Sequence, residues 1–264
     1  MKTLLKLLIL SDLHIGAGDG EIEAAMELAE YIIATYDPDT TLIAITGDGT
    51  DNASDDEIHL LSVLIQCLRD AGFTVIVIPG NHDQGWGGVS RQAERIARWQ
   101  SNIHPAGYPH ETVWQGWRVL MLDSCAGAGY GSLAQGTLGS EQIAWLASQM
   151  MSAERTLLFL HHKPWWKKPS LLLTDADEFL TLTRRARGRL VVVCGHRHEH
   201  QVWHGRDGAE LVVNAGKCTE WHRPPKTWRQ RLAFWRKDTR PRWLEFEEVD
   251  LSAPVATCRK VRLE

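Results

Sequence analysis

The 264-residue sequence predicts an α/β chain: a sheet layered with helices, then strands that add a second sheet. Three observations lead there. Short runs rich in Val, Ile and Leu recur along the chain, and such continuous runs suit strands buried on both faces. Helix-period patterns lie between several of them. After Gly195 the pattern shifts to short extended pieces. There is no internal repeat and no low-complexity tract.

In chain order, Leu4 to Leu10 is the first buried strand. Its start, "MKTLLKLLILSDLH", resembles a signal peptide only briefly. Lys6 interrupts the apolar run, and Asp12 and His14 stand where small cleavage-site residues belong. Glu21 to Ala34 carries apolar residues at 22, 25, 26, 29, 32 and 33, the face of a helix. Thr41 to Thr46 ("TLIAIT") is the next strand. Asp55 to Ala71 is helical, with apolar positions 58, 61, 64, 65 and 68. Strands follow at Thr74 to Ile78 and Arg118 to Leu122. Ser140 to Met151 is a helix by its positions 143, 146, 147 and 150, with Ser140 placed as its cap. Thr156 to Leu160 and Leu190 to Cys194 are again strands. "QVWH", "AELVVN", "WLEFEEV" and "VATCRKVRLE" are the extended pieces that close the chain.

Composition is that of a soluble globular protein, and a formal charge of −4 gives no global argument for nucleic-acid binding. Five scattered cysteines without a Cys-x-x-Cys predict a reducing compartment and no disulfide framework. No apolar run approaches the roughly 20 residues of a transmembrane helix. The expectation is a cytoplasmic protein.

Polar residues sit where the strands end. The first ends in Asp12 and His14, and "TLIAIT" in "GDGTD" with Asp48. "VIVIPGNHD" ends in Asn81, His82 and Asp83. "TLLFLHHKP" ends in His161 and His162, and "LVVVCGHRHEH" in His196, His198 and His200. Any one of these alone reads as a turn, a cap or a satisfied interior histidine. Five together read differently, because parallel strands bring their carboxyl ends to one edge, where ligands of α/β sheets bind. Carboxylate and imidazole are the usual ligands of Zn, Mn and Fe. More donors are present than one ion needs, which predicts two ions sharing a carboxylate. Glycines at 16, 47, 49, 80 and 195 suit tight turns that bring the backbone close to such a site.

The set "DLH", "GDGTD", "GNHD", "HHKP" and "GHRH", in that order over residues 12 to 198, resembles the calcineurin-like metallophosphoesterase family. The resemblance implies a four-layer fold, two mixed β-sheets flanked by helices, with a dinuclear metal site at one edge. It also implies that the C-terminal strands belong to the second sheet. One domain over 1–264 is expected, with the segment 220–243 inserted before the final strands. Carried over by resemblance, Asp12, His14 and His198 hold the first metal, Asn81, His161 and His196 the second, and Asp48 bridges both. His82 sits by the substrate as general acid or phosphate ligand, with Asp83 orienting it. His162 falls outside the ligand set. Asn214 and Gly216, in "VVNAGKC", match a late turn near the metal edge. The chain departs from the family at Gly49, where many members carry leucine, a change that bears on packing more than ligation. His200 is additional, either a support to the ligands or a solvated strand residue. Arg197 is expected to point away from them.

The resemblance implies hydrolysis of phosphoric esters through in-line attack by a hydroxide shared between two Mn, Fe or Zn ions. "YGSLAQGTLGSEQIAWLASQM", with Trp145 and Leu146, is similar to the subgroup that includes bacterial cyclic-nucleotide phosphodiesterases. That favours a small or nucleotide-type phosphodiester, a 3',5'-cyclic nucleotide among the candidates. A phosphomonoesterase is the alternative, followed by a nuclease and a non-catalytic scaffold. No Gly-x-Ser-x-Gly, P-loop or dinucleotide fingerprint competes. The "PWWKKP" loop, with Trp165, Trp166, Lys167 and Lys168, either offers an aromatic, basic wall to the substrate or covers core with its indoles.

Residues 220 to 243 carry a local charge of +6, leaving −10 for the rest. Trp228, Leu232 and Trp235 fall on one face of a short helix. Three readings stand: an amphipath packed on the core, a homodimer contact or lid, and a nucleic-acid or membrane-surface contact.

Overall fold

The computed structural model describes residues 4–18, 20–84, 92–125, 134–165, 171, 173–220 and 243–263. In the first sheet, strand β1 (Lys6–Leu10) runs parallel to β2 (Thr41–Thr46), and β2 parallel to β3 (Thr74–Ile78). Helix α1 (Glu21–Thr35) links the first two strands and α2 (Asp55–Asp70) the next two. Ser54 caps α2 in a reciprocal box with Glu57, which starts the helix cleanly behind the Asp48 loop. Helix α3 (Gln92–Asn102) comes after β3.

The second sheet has the order β4 (His110–Trp114), β5 (Trp117–Met121), β6 (Thr156–Phe159), β7 (Leu190–Cys194), β9 (Ala209–Asn214), β8 (Gln201–Arg206). Its four central strands are parallel, and β4 and β8 close the edges antiparallel. Helices α4 (Gly139–Gln149) and α5 (Ala176–Thr183) belong to this half.

The alternation of side chains sorts the core into three layers. Leu7, Ile9, Leu42, Ala44, Ile76 and Ile78 face Val119, Met121, Phe159, Val191 and Val213 between the sheets. Leu8, Ile43, Ile45 and Val77 turn outward onto Leu28, Ile32, Leu61 and Ile65 of α1 and α2. Leu120, Leu158, Val192 and Val212 pack on Leu146 and Phe179 of α4 and α5. Each fully buried aliphatic contributes roughly 1.5–3 kcal/mol, against about 0–1 for an exposed ion pair, so these layers hold the fold. The result is helix, sheet, sheet, helix. No helix of the described residues is long and apolar enough to cross a membrane.

Three expectations change. The closing strands divide between the sheets: β8 and β9 join the second, but β11 (Trp243–Asp250) pairs antiparallel with β1 in the first. There β12 (Thr257–Leu263) flanks β11 on the far side, and the two-residue β10 (Thr219–Glu220) pairs with its start. The first sheet therefore becomes mixed only through its C-terminal strands. Ser140 is not a cap, since it lies within α4. Asp175 does that work, accepting from Leu138 N at 2.9 Å and Gly139 N at 2.8 Å. Elements β4, α3 and α5 come where no element was expected.

Candidate metal centre

Strands β1, β2 and β3 of one sheet and β6 and β7 of the other end at the same edge. Loop-to-loop backbone bonds tie the ends together: Asp12 N donates to Gly47 O (3.1 Å), His14 N to Asp48 O (2.9 Å) and Gly195 N to His161 O (3.0 Å). The backbone here is unusual. Asp12, His14, Asp48, His196 and His198 all have φ between 48 and 73°. Non-glycine residues in this left-handed region cost on the order of 1–3 kcal/mol each and cluster at functional sites. Two glycines make the approach possible. At Gly47 (φ 93°) a Cβ would stand 2.4 Å from His161 Nδ1, and at Gly80 it would stand 2.2 Å from Asp48 Oδ1.

Three donor clusters result: Asp12, His14 and His198; Asp48, His161 and His196; and His14, Asp48 and His82. Within the first, His198 Nε2 lies 3.2 Å from Asp12 Oδ1 and 3.1 Å from His14 Nε2. Within the second, His161 Nε2 lies 3.2 Å from Asp48 Oδ2. His14 Nε2 is 4.0 Å from that same oxygen, so Asp48 stands between the two halves. All these side chains except those of His198, His196 and His82 are buried; His198 is 44% exposed.

The buried donor atoms look toward a cation. Among the described residues Asn81 Oδ1 and His196 Nε2 are buried without a hydrogen-bond partner, and Asp12 Oδ1 and His161 Nε2 have only their contacts with His198 and Asp48. His161 Nδ1 donates to Thr46 O at 2.8 Å, so Nε2 is the ring atom that faces the site and offers its lone pair there once its proton is lost. Asp51 Oδ1 lies 3.3 Å from His14 Nδ1 and holds that ring in the corresponding way. Such outer partners fix the tautomer and orientation of metal-binding imidazoles. The donor chemistry fits a dinuclear divalent-metal site.

The electrostatics agree with this geometry. Burial alone would raise Asp48, but His161, followed by His14, holds it well below the ordinary carboxylate range. Burial would likewise raise Asp12, and the His198 hydrogen bond and charge hold it low instead. Burial would lower His161, yet Asp48 pushes it up to about 9. Burial brings His14 down to about 4, and burial with the His161 charge does the same to His196. In the metal-free protein one imidazolium thus stands where a cation fits, and it must release its proton for a metal to bind.

The other expected residues are placed as follows. The His82 ring packs against His14 at 4.5 Å, and its Nδ1 bonds Asp51 O at 2.8 Å. Asp83 accepts from Thr50 N, Thr50 Oγ1 and Gly80 N, at 2.8 to 2.9 Å, and so ties the Asp48 loop to the Asn81 loop. Burial, then the Asp48 charge, pushes Asp83 up to about 6. A Cβ on Gly49 would meet Leu61 Cδ2 at 2.7 Å, so α2 fills the space there. Arg197 pairs with Glu199 at 3.5 Å. His200 is tethered by Nδ1 to the buried Glu247 at 3.1 Å, and Gly216 N donates to the same carboxylate oxygen at 2.8 Å. Asn214 Nδ2 donates to Glu199 O at 2.7 Å, tying the late turn to the His198 loop. His162 is wholly buried, and burial, then His196 and His161, keeps it well below its ordinary value.

Trp165 does not line the site. It is 8% exposed, bonds Asp207 through Nε1 and packs on Trp203 at 6.1 Å, in the outer core of the second sheet. Trp166, Lys167, Lys168, Trp228, Leu232 and Trp235 lie outside the described residues. Asp51, Ser124 and Glu247 carry polar contacts here that the sequence reading did not assign. For Asp51 the signal was present, three residues after Asp48 in "GDGTD".

The family model of the calcineurin-like phosphoesterases matches residues 5–200. The chain belongs to that family. Among curated proteins this chain is similar to the "Probable cyclic nucleotide phosphodiesterase" of Fibrobacter succinogenes, 29% identical over 62% of its length. It is also similar to the "Probable glycerophosphodiester phosphodiesterase GpdQ" of Arcobacter nitrofigilis, 32% identical over 61%. The alignments span 59% and 58% of those relatives' lengths. Among solved structures, a dimetal phosphatase from Danio rerio has a TM-score of 0.65 at 15% identity, over 98% of this chain and 96% of that one. The purple acid phosphatase PPD1 of yellow lupin scores 0.62 at 10% identity, over 99% and 52%. GAP50, the anchor in the inner membrane complex of Plasmodium, scores 0.60 at 13% identity, over 99% and 85%. These three share the fold.

Proposed function

We propose that this phosphoesterase hydrolyses small or nucleotide-type phosphodiesters at a two-metal centre of Mn, Fe or Zn. The observation that carries the reading is the convergence of three donor clusters with Asp48 common to two of them. Asp12, His14 and His198 would hold one ion, Asn81, His161 and His196 the other, and Asp48 would bridge them. When bound, such ions lower the pKa of water and neutralise phosphoryl charge. The protein's part is to hold and orient. Asn81 ligates without adding charge. His82, half-exposed beside His14, donates a proton to the leaving oxygen or stabilises charge there.

The preference for diesters rests on the two bacterial relatives, whose names denote phosphodiesterases. The buried Trp165 removes one argument that the sequence had offered for it. Cyclic nucleotides and glycerophosphodiesters are accordingly the first substrates to screen. The deciding measurement is kcat/KM for bis-nitrophenyl phosphate against nitrophenyl phosphate in Mn²⁺. A tenfold preference for the diester, about 1.4 kcal/mol of differential transition-state binding, is expected. A monoester preference of that size would install the phosphomonoesterase reading. Inertness toward both with Mn, Fe and Zn would install the scaffold, a role that the fold shared with GAP50 leaves open.

A further inference from the structure

His162 lies at the metal edge but belongs to none of the three donor clusters. It is fully buried. Its ring stands 4.4 Å from the His196 ring and 5.1 Å from that of His161. Ser124, also fully buried, meets it twice: Ser124 Oγ accepts from His162 N at 3.1 Å and lies 2.8 Å from His162 Nδ1. These two contacts set the tautomer. The hydroxyl has a single proton, and Nδ1 is the acceptor within its reach. If Nδ1 carried a proton instead, the hydroxyl would be left with a buried, unused donor. Nδ1 therefore accepts, and Nε2 carries the ring proton.

That Nε2 is buried and has no hydrogen-bond partner among the described residues. A buried N–H without an acceptor is costly. Gly136 packs closely on the ring: a Cβ there would stand 2.4 Å from His162 Cγ and 2.5 Å from Nδ1. The neighbouring histidine is fixed the other way round. His161 Nδ1 donates to Thr46 O, so that Nε2, once deprotonated, is the acceptor. Two successive imidazoles thus present opposite faces, a lone pair suited to a cation and an N–H suited to an anion.

We propose that His162 is a phosphoryl-binding residue, its Nε2–H donating to an anionic oxygen of the substrate or of orthophosphate at the His161–His196 side of the centre. The inference rests on the phosphoesterase reading, and the test separates the two. Orthophosphate is titrated calorimetrically into the Zn²⁺-loaded wild-type protein, H162L and H162Q, with metal content measured alongside. H162L is expected to bind orthophosphate at least about tenfold more weakly while keeping the wild-type metal content, and H162Q, which retains a donor, to recover most of the loss. Nitrogen NMR of the metal-free wild type should report an Nε2–H tautomer for His162, and S124A should lose that preference. Orthophosphate binding by H162L equal to wild type, loss of a metal ion in H162L, or an Nδ1–H tautomer in the wild type each overturns the inference alone. Failure of the loaded wild type to bind orthophosphate or cleave any phosphoester overturns the phosphoesterase reading with it. If H162L does not fold, S124A decides, since it leaves the ring in place: unchanged orthophosphate affinity with a lost tautomer preference overturns the proposal.

Discussion

The two sheets reach the same edge with different chemistry. The ends of β1, β2 and β3 bring Asp12, Asp48 and Asn81, along with two imidazoles, His14 and His82. The ends of β6 and β7 bring only imidazoles, His161, His196 and His198. Four short contacts between donors cross from one sheet to the other: Asp12 with His198, Asp48 with His161, His14 with His198, and His196 N with Asp12 Oδ2. One sheet supplies the negative charge and the other the groups that compensate it. Neither edge is a site alone, so anything that binds between them also holds the sandwich together.

The largest test of that division is the carboxylate that both halves touch. D48A should lose at least about 10³-fold in kcat/KM and retain fewer than two ions per chain by elemental analysis. Two ions held at wild-type affinity would break the picture of a shared carboxylate. H82A should lose about 10²-fold or more against poor leaving groups, less against nitrophenolate, with metal content intact. A uniform loss across a leaving-group series would make His82 a positioning residue. D51N loosens one His14 contact on the first-sheet side and should weaken metal binding by about tenfold in a competition titration. An unchanged affinity would show that the Asp51 contact is dispensable.

The smallest effect is in stability. Metal at about 100 times its Kd should stabilise the fold by roughly 2.7 kcal/mol, lost on chelation. The chelated protein should then reveal the cross-sheet charges through pH. His161, raised to about 9, contributes stability that is complete below the unfolded value of 6.5 and disappears as pH rises through 9. His14 and His196, lowered to about 4, remain neutral in the fold while the unfolded chain takes up protons, so stability also falls as pH drops below 6.5. Thermal melts should therefore peak near pH 6.5, and H161Q should lose the alkaline decline. An alkaline decline that persists in H161Q would deny the Asp48–His161 pair its part.

Much of this was legible in the sequence. Thr41–Thr46, Thr74–Ile78, Leu190–Cys194 and Ala209–Asn214 form the strands that were expected, because each is a continuous apolar run bounded by turn residues. Strand β4 escaped because "HETVW" is an edge strand that buries few of its residues. Helix α5 is short and threonine-rich, a pattern of weak helical propensity. Sheet membership could not be read at all, since the register of Leu7 against Val249 is decided by contacts far apart in the chain. At the candidate site, the strand-end donors were visible and the structure draws them together. Their supports were less so: Ser124 and Glu247 acquire meaning only through the imidazoles folded against them. Of the two readings of the loop after His161, Trp165 takes the one in which its indole covers core, turned to Asp207.

The root of the 221–242 connection has a consequence for how such a chain can diversify. Thr219 faces Leu244 and Glu220 faces Trp243, so the connection leaves and returns through neighbouring rungs of one ladder. Just before it, Cys218 N donates to Ser11 O at 3.0 Å and Ser11 N to Cys218 Sγ at 3.2 Å, one residue from Asp12. A segment closed at its base like a hairpin can lengthen, shorten or be exchanged at slight entropic expense, about 0.6 kcal/mol for each doubling of its length. Whatever its length, the stem stays fastened beside the same aspartate.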